Sequence, residues 1–79
     1  MKVTVLVRPR DGILDPQGQA IDRSLQGLGY ASRGVRAGKV FDVELETADR
    51  GAAESQAREL AERVLINPLI EQFEVVVHG

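Results

Sequence analysis

The sequence predicts a small α+β domain, built from an antiparallel sheet and two amphipathic helices. Three observations lead there. Alternating apolar and polar residues rich in β-branched types occur near the start, in the middle and at the end of the chain. Two stretches with apolar residues three and four apart separate those runs. Proline, glycine, aspartate and asparagine punctuate the joins.

The first run, Lys2 to Arg8, sets Val3, Val5 and Val7 on one side and Thr4, Leu6 and Arg8 on the other. It reads as a strand with a central place in the sheet. Pro9 to Leu14 holds turn residues, and it brings Arg8, Arg10 and Asp11 near the start of the first helix. Within Leu14 to Tyr30 the helix carries its own boundaries: Asp15 suits the N-cap, Pro16 the first helical position and Gly29 a left-handed stop. Ile21, Leu25 and Leu28 share a face, leaving Asp22, Arg23 and Gln26 for solvent. Gly18 in the first turn costs about 1 kcal/mol against alanine, and so marks a place where another backbone comes close.

A small-residue connection, Ala31 to Gly34, precedes the longest strand signal, Val35 to Thr47. There Phe41, Val43 and Leu45 alternate with Asp42, Glu44 and Glu46, the pattern of an antiparallel strand with one wet face. Gly38 interrupts it as a bulge, or as the turn of a hairpin whose first arm is Val35 and Arg36. With a single strand here both helices would be crossovers between parallel strands, so the split is favoured. The resulting order is the ferredoxin-like βαββαβ arrangement, with a short or kinked second strand and two helices on one face of the sheet. A kinked single strand, three strands in all, is the other reading.

The second helix is expected from about Arg50 to Ile66, capped by Asp49 or Thr47. Ala53, Ala57, Leu60, Ala61, Val64 and Leu65 form its apolar stripe, and Glu54 with Arg58 an i,i+4 pair. Asn67 and Pro68 end it. Phe73, Val75 and Val77 then define the last strand.

Seventy-nine residues make one domain, residues 1–79. A domain of this size buries only about 60% of its unfolded surface, so its stability is marginal. With no cysteine, and with His78 the only histidine, disulfides and a structural metal are not expected, which leaves oligomerisation as the remedy. The apolar run at the N-terminus is too short for a signal peptide and no segment approaches the ~20 residues of a membrane span, so a cytoplasmic protein without a membrane partner is expected. A net charge of −2 argues against nucleic acid, as does the presence of only three aromatic residues. The charge is polarised: residues 1–41 carry seven Lys/Arg and three Asp, residues 42–79 three Arg and nine Asp/Glu. Such polarity suits pairing with another copy or a protein surface.

No constellation for chemistry assembles. Ser24, Ser32 and Ser55 lack a neighbouring histidine, Glu44 and Glu46 read as a solvated strand face, and no phosphate-binding glycine motif occurs. No catalytic, cofactor-binding or metal-binding residue is therefore expected. Thr4, Leu6, Val40 and Val76 fall opposite the helix-covered face, where a second copy or a partner would cover them.

The blocks Leu14 to Gly18, Leu28 to Tyr30, Val35 and Arg36, Gly38 and Lys39, and Leu65, Asn67, Pro68, Ile70 and Glu71 resemble, in order and spacing, the PurS family. Its members are the small subunits of phosphoribosylformylglycinamidine (FGAM) synthase in purine biosynthesis. The resemblance implies a subunit of an ATP-dependent glutamine amidotransferase ligase with no active site of its own. It would join the glutaminase subunit to the large synthetase subunit, where ATP and magnesium are held, and assist ammonia transfer. It would also associate with itself as a dimer or a dimer of dimers. The residues it points to as contact or architecture-setting positions are Asp15, Pro16, Gln17, Gly18, Tyr30, Arg36, Gly38, Lys39, Asn67 and Pro68. The alternative is a small-molecule-sensing module resembling the ACT domain, with Asp11 to Leu14 as its effector loop.

Overall fold

A computed structural model describes residues 1–79. The element order is β1 (Lys2–Pro9), α1 (Pro16–Gly27), β2 (Lys39–Glu44), α2 (Arg50–Leu60) and β3 (Glu71–Val77), with a π-helical turn at Ala61–Leu65 continuing α2. The sheet is antiparallel in the order β2-β1-β3, so β1 is central. Val5 stands opposite Phe41 on one side and Val75 on the other. Both outer strands run against β1 and hence parallel to each other, so α2 is a crossover above β1.

Along β1 the period of two puts Val3, Val5 and Val7 under α2, fully or almost fully buried. Ala53, Ala57 and Ala61, four residues apart, meet them, and such small side chains let the helix lie close on the sheet. Phe41, Val43, Leu45, Leu65, Phe73, Val75 and Val77 close the sides of this core while staying partly exposed. Asp49 caps α2, accepting from the N–H groups of Gly51 and Ala52 at 3.3 Å each. The wider last turn closes with Ile66 N–H donating to Ala61 O at 3.0 Å, and Asn67 and Pro68 follow.

The α+β class and the antiparallel sheet are as the sequence predicts, but two details of the expected arrangement differ. The chain has three strands, because Val35 and Arg36 join no ladder. β2 begins at Lys39, paired with Val7, and β1 ends at Pro9, which has no N–H to offer further along. The two helices do not share one face. α1 leaves the end of the sheet and projects from it with residues 31–38 returning alongside, which lets β1 and β2 be antiparallel although a helix lies between them. Ile21 is accordingly 40% exposed and Leu28 76%, where a sheet-packed helix would bury them. The shape follows. The radius of gyration is 15.7 Å over extents of 48 × 26 × 13 Å, against about 12 Å for a compact chain of this length. No helix is long and apolar enough to cross a membrane.

Candidate functional site

Most of the residues singled out in the sequence meet where the projecting arm joins the sheet. Asp15 is the hub. Its Oδ1 accepts from Gly18 N–H at 2.9 Å, capping α1, and its Oδ2 accepts from Ala37 N–H at 2.8 Å, tying the returning chain to the same carboxylate. These two backbone donors, with the Arg36 guanidinium adding to them, hold its carboxyl below the usual aspartate range against the opposing effect of partial burial. Pro16 supplies the first helical residue without wasting a donor. Gly18 is buried against the returning chain, and a Cβ there would stand 2.1 Å from Val35 O. That is the close backbone approach its place in a first helical turn foretells.

Arg36 fastens the other side. Its Nη1 donates to Asp11 Oδ1 at 3.2 Å, while Nη2 donates to Arg10 O at 3.0 Å and to Pro9 O. Gly38 is neither a bulge nor a hairpin turn; it lets the chain pass the Val7 carbonyl, which a Cβ would meet at 2.2 Å. Lys39 pairs with Glu71 at 3.5 Å. Glu71 in turn accepts from Asn67 N–H at 2.8 Å, and Arg10 Nε donates to Pro68 O at 2.9 Å, so the turn after α2 reaches the same end of the molecule. A cleft of about 230 Å³ lies here, lined by Arg8, Arg36, Gly38, Lys39 and the apolar Leu6, Val7 and Val40.

Two predicted residues stand apart. Gln17 lies exposed on α1 and enters none of these bonds, and Tyr30 is 64% exposed at the far end of the arm, where only its N–H is engaged, by Leu25 O at 3.0 Å. Gly29, with φ of +94°, provides the predicted left-handed stop beside it. Four contributors were not among the predicted contact positions: Arg10, Asp11, Val35 and Glu71, although Val35 and Glu71 stand in the blocks that carry the resemblance and Asp11 in the effector loop of the alternative reading. Gly18 implied that something must come close to it, but nothing in the order of residues said it would be Val35.

The chemistry this arrangement supports is positional. Arg8 pairs with Glu74 at 3.3 Å, and with the Arg36–Asp11 and Lys39–Glu71 pairs each cation of the cleft has a carboxylate. On the outer sheet face Thr4 Oγ1 donates to Asp42 Oδ1 at 2.6 Å and lies 2.8 Å from His78 Nε2. The threonine proton goes to the carboxylate and not to the imidazole, so this row is a surface network and not a nucleophile with its base.

Comparison with known proteins places this architecture. The family model described as PurS, phosphoribosylformylglycinamidine (FGAM) synthase, matches residues 2–79. The phosphoribosylformylglycinamidine synthase subunit PurS of Archaeoglobus fulgidus is 32% identical over 77 residues, covering 96% of each chain. The crystal structure of PurS from Methanocaldococcus jannaschii superposes with a TM-score of 0.85 at 29% identity, over 98% of this chain and 94% of that one. A chain of the PurLQS structure from Thermotoga maritima gives a TM-score of 0.85 at 30% identity, over 95% and 93% of the two chains.

Proposed function

Since this chain belongs to the PurS family, we propose that it is the small, non-catalytic subunit of an FGAM synthase, joining the glutaminase subunit to the large ATP-dependent synthetase subunit and assisting the passage of ammonia between them. The observation that carries this reading is the match along almost the whole chain to a chain of the PurLQS assembly. A non-catalytic role is supported by the root of the arm, where the gathered polar groups engage one another and the backbone. On this reading ATP and magnesium belong to the large partner. Self-association is supported by the small core, in which only seven of 79 residues are buried.

The test is glutamine-dependent FGAM formation by the purified large and glutaminase subunits, with and without this chain, beside an ammonia-dependent control. Glutamine-dependent turnover that requires this chain, with ammonia-dependent turnover unchanged, is the expected result. Equal turnover in both, with no complex formed, would refute the assignment.

A further inference from the structure

At the end of the sheet where the arm is rooted, two well-bonded loops display leucines. The turn after α2 closes on Asn67, whose O accepts from Ile70 N–H at 3.1 Å and from Glu71 N–H at 2.8 Å, and whose Oδ1 accepts from Leu69 N–H at 3.1 Å. Its own N–H donates to Glu71 Oε1 at 2.8 Å. Leu69, carried on this turn, is 83% exposed, more than any other large apolar residue. Arg10 fastens the turn to the neighbouring loop, its N–H donating to Ile70 O at 2.8 Å and its Nε to Pro68 O at 2.9 Å. On that loop Leu14 is 70% exposed, one residue before the carboxylate that caps α1.

A rigid turn beneath an exposed apolar side chain favours binding, because little ordering remains to be lost on association. Apolar side chains gathered in water mark an interaction surface. Charge then narrows the partner. Arg8, Arg10, Arg36 and Lys39 are exposed around the same end. Of the carboxylates beside them, Asp15 is held inward by two backbone N–H groups and the Glu71 side chain is only 16% exposed, which leaves Asp11 and Glu74. Four outward cations therefore stand against two outward carboxylates. Their ion pairs lie in water, where such pairs are weak, so carboxylates of a partner can take over the cations.

A second copy does not fit this end. Contact across a two-fold axis would set the cations against their own equivalents, and a head-to-tail contact with the acidic half of the chain builds rings or filaments in place of a bridge. We infer that this end docks one of the two larger subunits of the synthase, on a surface apolar at its centre and acidic at its rim. Leu69 and Leu14 supply the apolar anchors, and Arg8, Arg36 and Lys39 the charges that orient them. The cleft of about 230 Å³ lined by Arg8 and Arg36 has room for a carboxylate side chain from that rim. The inference deepens the bridging role proposed above and rests on it.

Leu69→Asp tests it, because this side chain lies outside the core and the variant should keep its fold, read as unchanged amide exchange in β1. Titrated against the large and glutaminase subunits, singly and together, the variant should show a dissociation constant raised about tenfold or more, with self-association of the chain unchanged. Arg8→Ala should weaken the same binding and flatten its dependence on salt, a readout that a merely structural role would not move. Glutamine-dependent turnover with either variant should return to the wild-type level when the chain is supplied in excess. Binding of Leu69→Asp as tight as that of the wild type, or loss of its self-association, would overturn the docking assignment. A wild-type chain that forms no complex removes the subunit reading and the docking surface together, so the wild-type control tells the two failures apart.

Discussion

In the body, β1 buries Val3, Val5 and Val7 against three alanines of α2, whereas in the arm the one buried residue is Gly18. The two regions are held by different physics. Apolar area removed from water stabilises the body, at about 25 cal/mol per Å² without regard to direction. Directed bonds hold the arm: one carboxylate with two backbone donors, one guanidinium with three acceptors, and a backbone contact that tolerates no Cβ. Directed bonds set an angle where apolar burial sets only proximity. The arm is therefore aimed, and its apolar face is left for something outside the chain.

The largest effect should come from the body. Val5→Ala removes two methyl groups from a side chain with no exposure, and should cost about 2–3 kcal/mol, read as a lower urea midpoint at fixed protein concentration. The loss should be global, because the root of the arm hangs from the end of β1. Gly18→Ala sharpens the contrast. The gain of about 1 kcal/mol in helix propensity is opposed by a Cβ 2.1 Å from Val35 O, backbone that cannot yield without pulling Ala37 from Asp15. Overpacking of this kind costs about 1–3 kcal/mol, so the net change should be destabilising and confined to the arm. Amides of α1 should exchange faster while those of Val3 to Val7 keep their protection. Gly27→Ala is the control: nothing lies within 4 Å of its Cβ, so stability should rise by up to about 1 kcal/mol.

The same contrast explains what the sequence revealed. Strand periodicity located Val3, Val5 and Val7, the helix signals located Asp15, Pro16 and Gly29, and each was legible because it depends on neighbours a few residues away. The direction of α1 was not legible. An amphipathic face announces that it will be covered without saying by which surface, and Ile21, Leu25 and Leu28 would read alike on their own sheet or on another copy's. The fate of Val35 and Arg36 was hidden for a related reason. Their apolar and small-residue pattern fits a strand, yet the segment's partners are Asp15, Asp11 and the Pro9 and Arg10 carbonyls, side-chain and loop groups that periodicity does not register. Among the site residues, Asp15, Pro16 and Gly18 were legible from local signals and Arg36 and Lys39 only through the family resemblance, while their partners Asp11 and Glu71, 25 and 32 residues away in sequence, were not among the predicted contact positions.

Asp15 offers the finest dissection, since its two oxygens do separate work: Oδ1 caps α1 and Oδ2 holds the returning chain. Asp15→Asn keeps one acceptor and turns an amide donor toward the other N–H. The cap should then survive while Ala37 is released, or the reverse, and the two amide resonances should report which. Acid should achieve the same in the wild-type chain. The folded-state pKa of Asp15 is lowered, so the unfolded chain takes up the proton first as pH falls. Its contribution is therefore fully present above the ordinary aspartate value of about 3.9 and is lost progressively as pH drops from there through the folded pKa. In an acid titration the Gly18 and Ala37 amide shifts should move together, with a midpoint below that ordinary value and ahead of any loss of the core. The Asp15→Asn chain should show no such step. If the two amides instead titrated apart, or moved only as the core unfolded, a single carboxylate would not be what sets the direction of the arm.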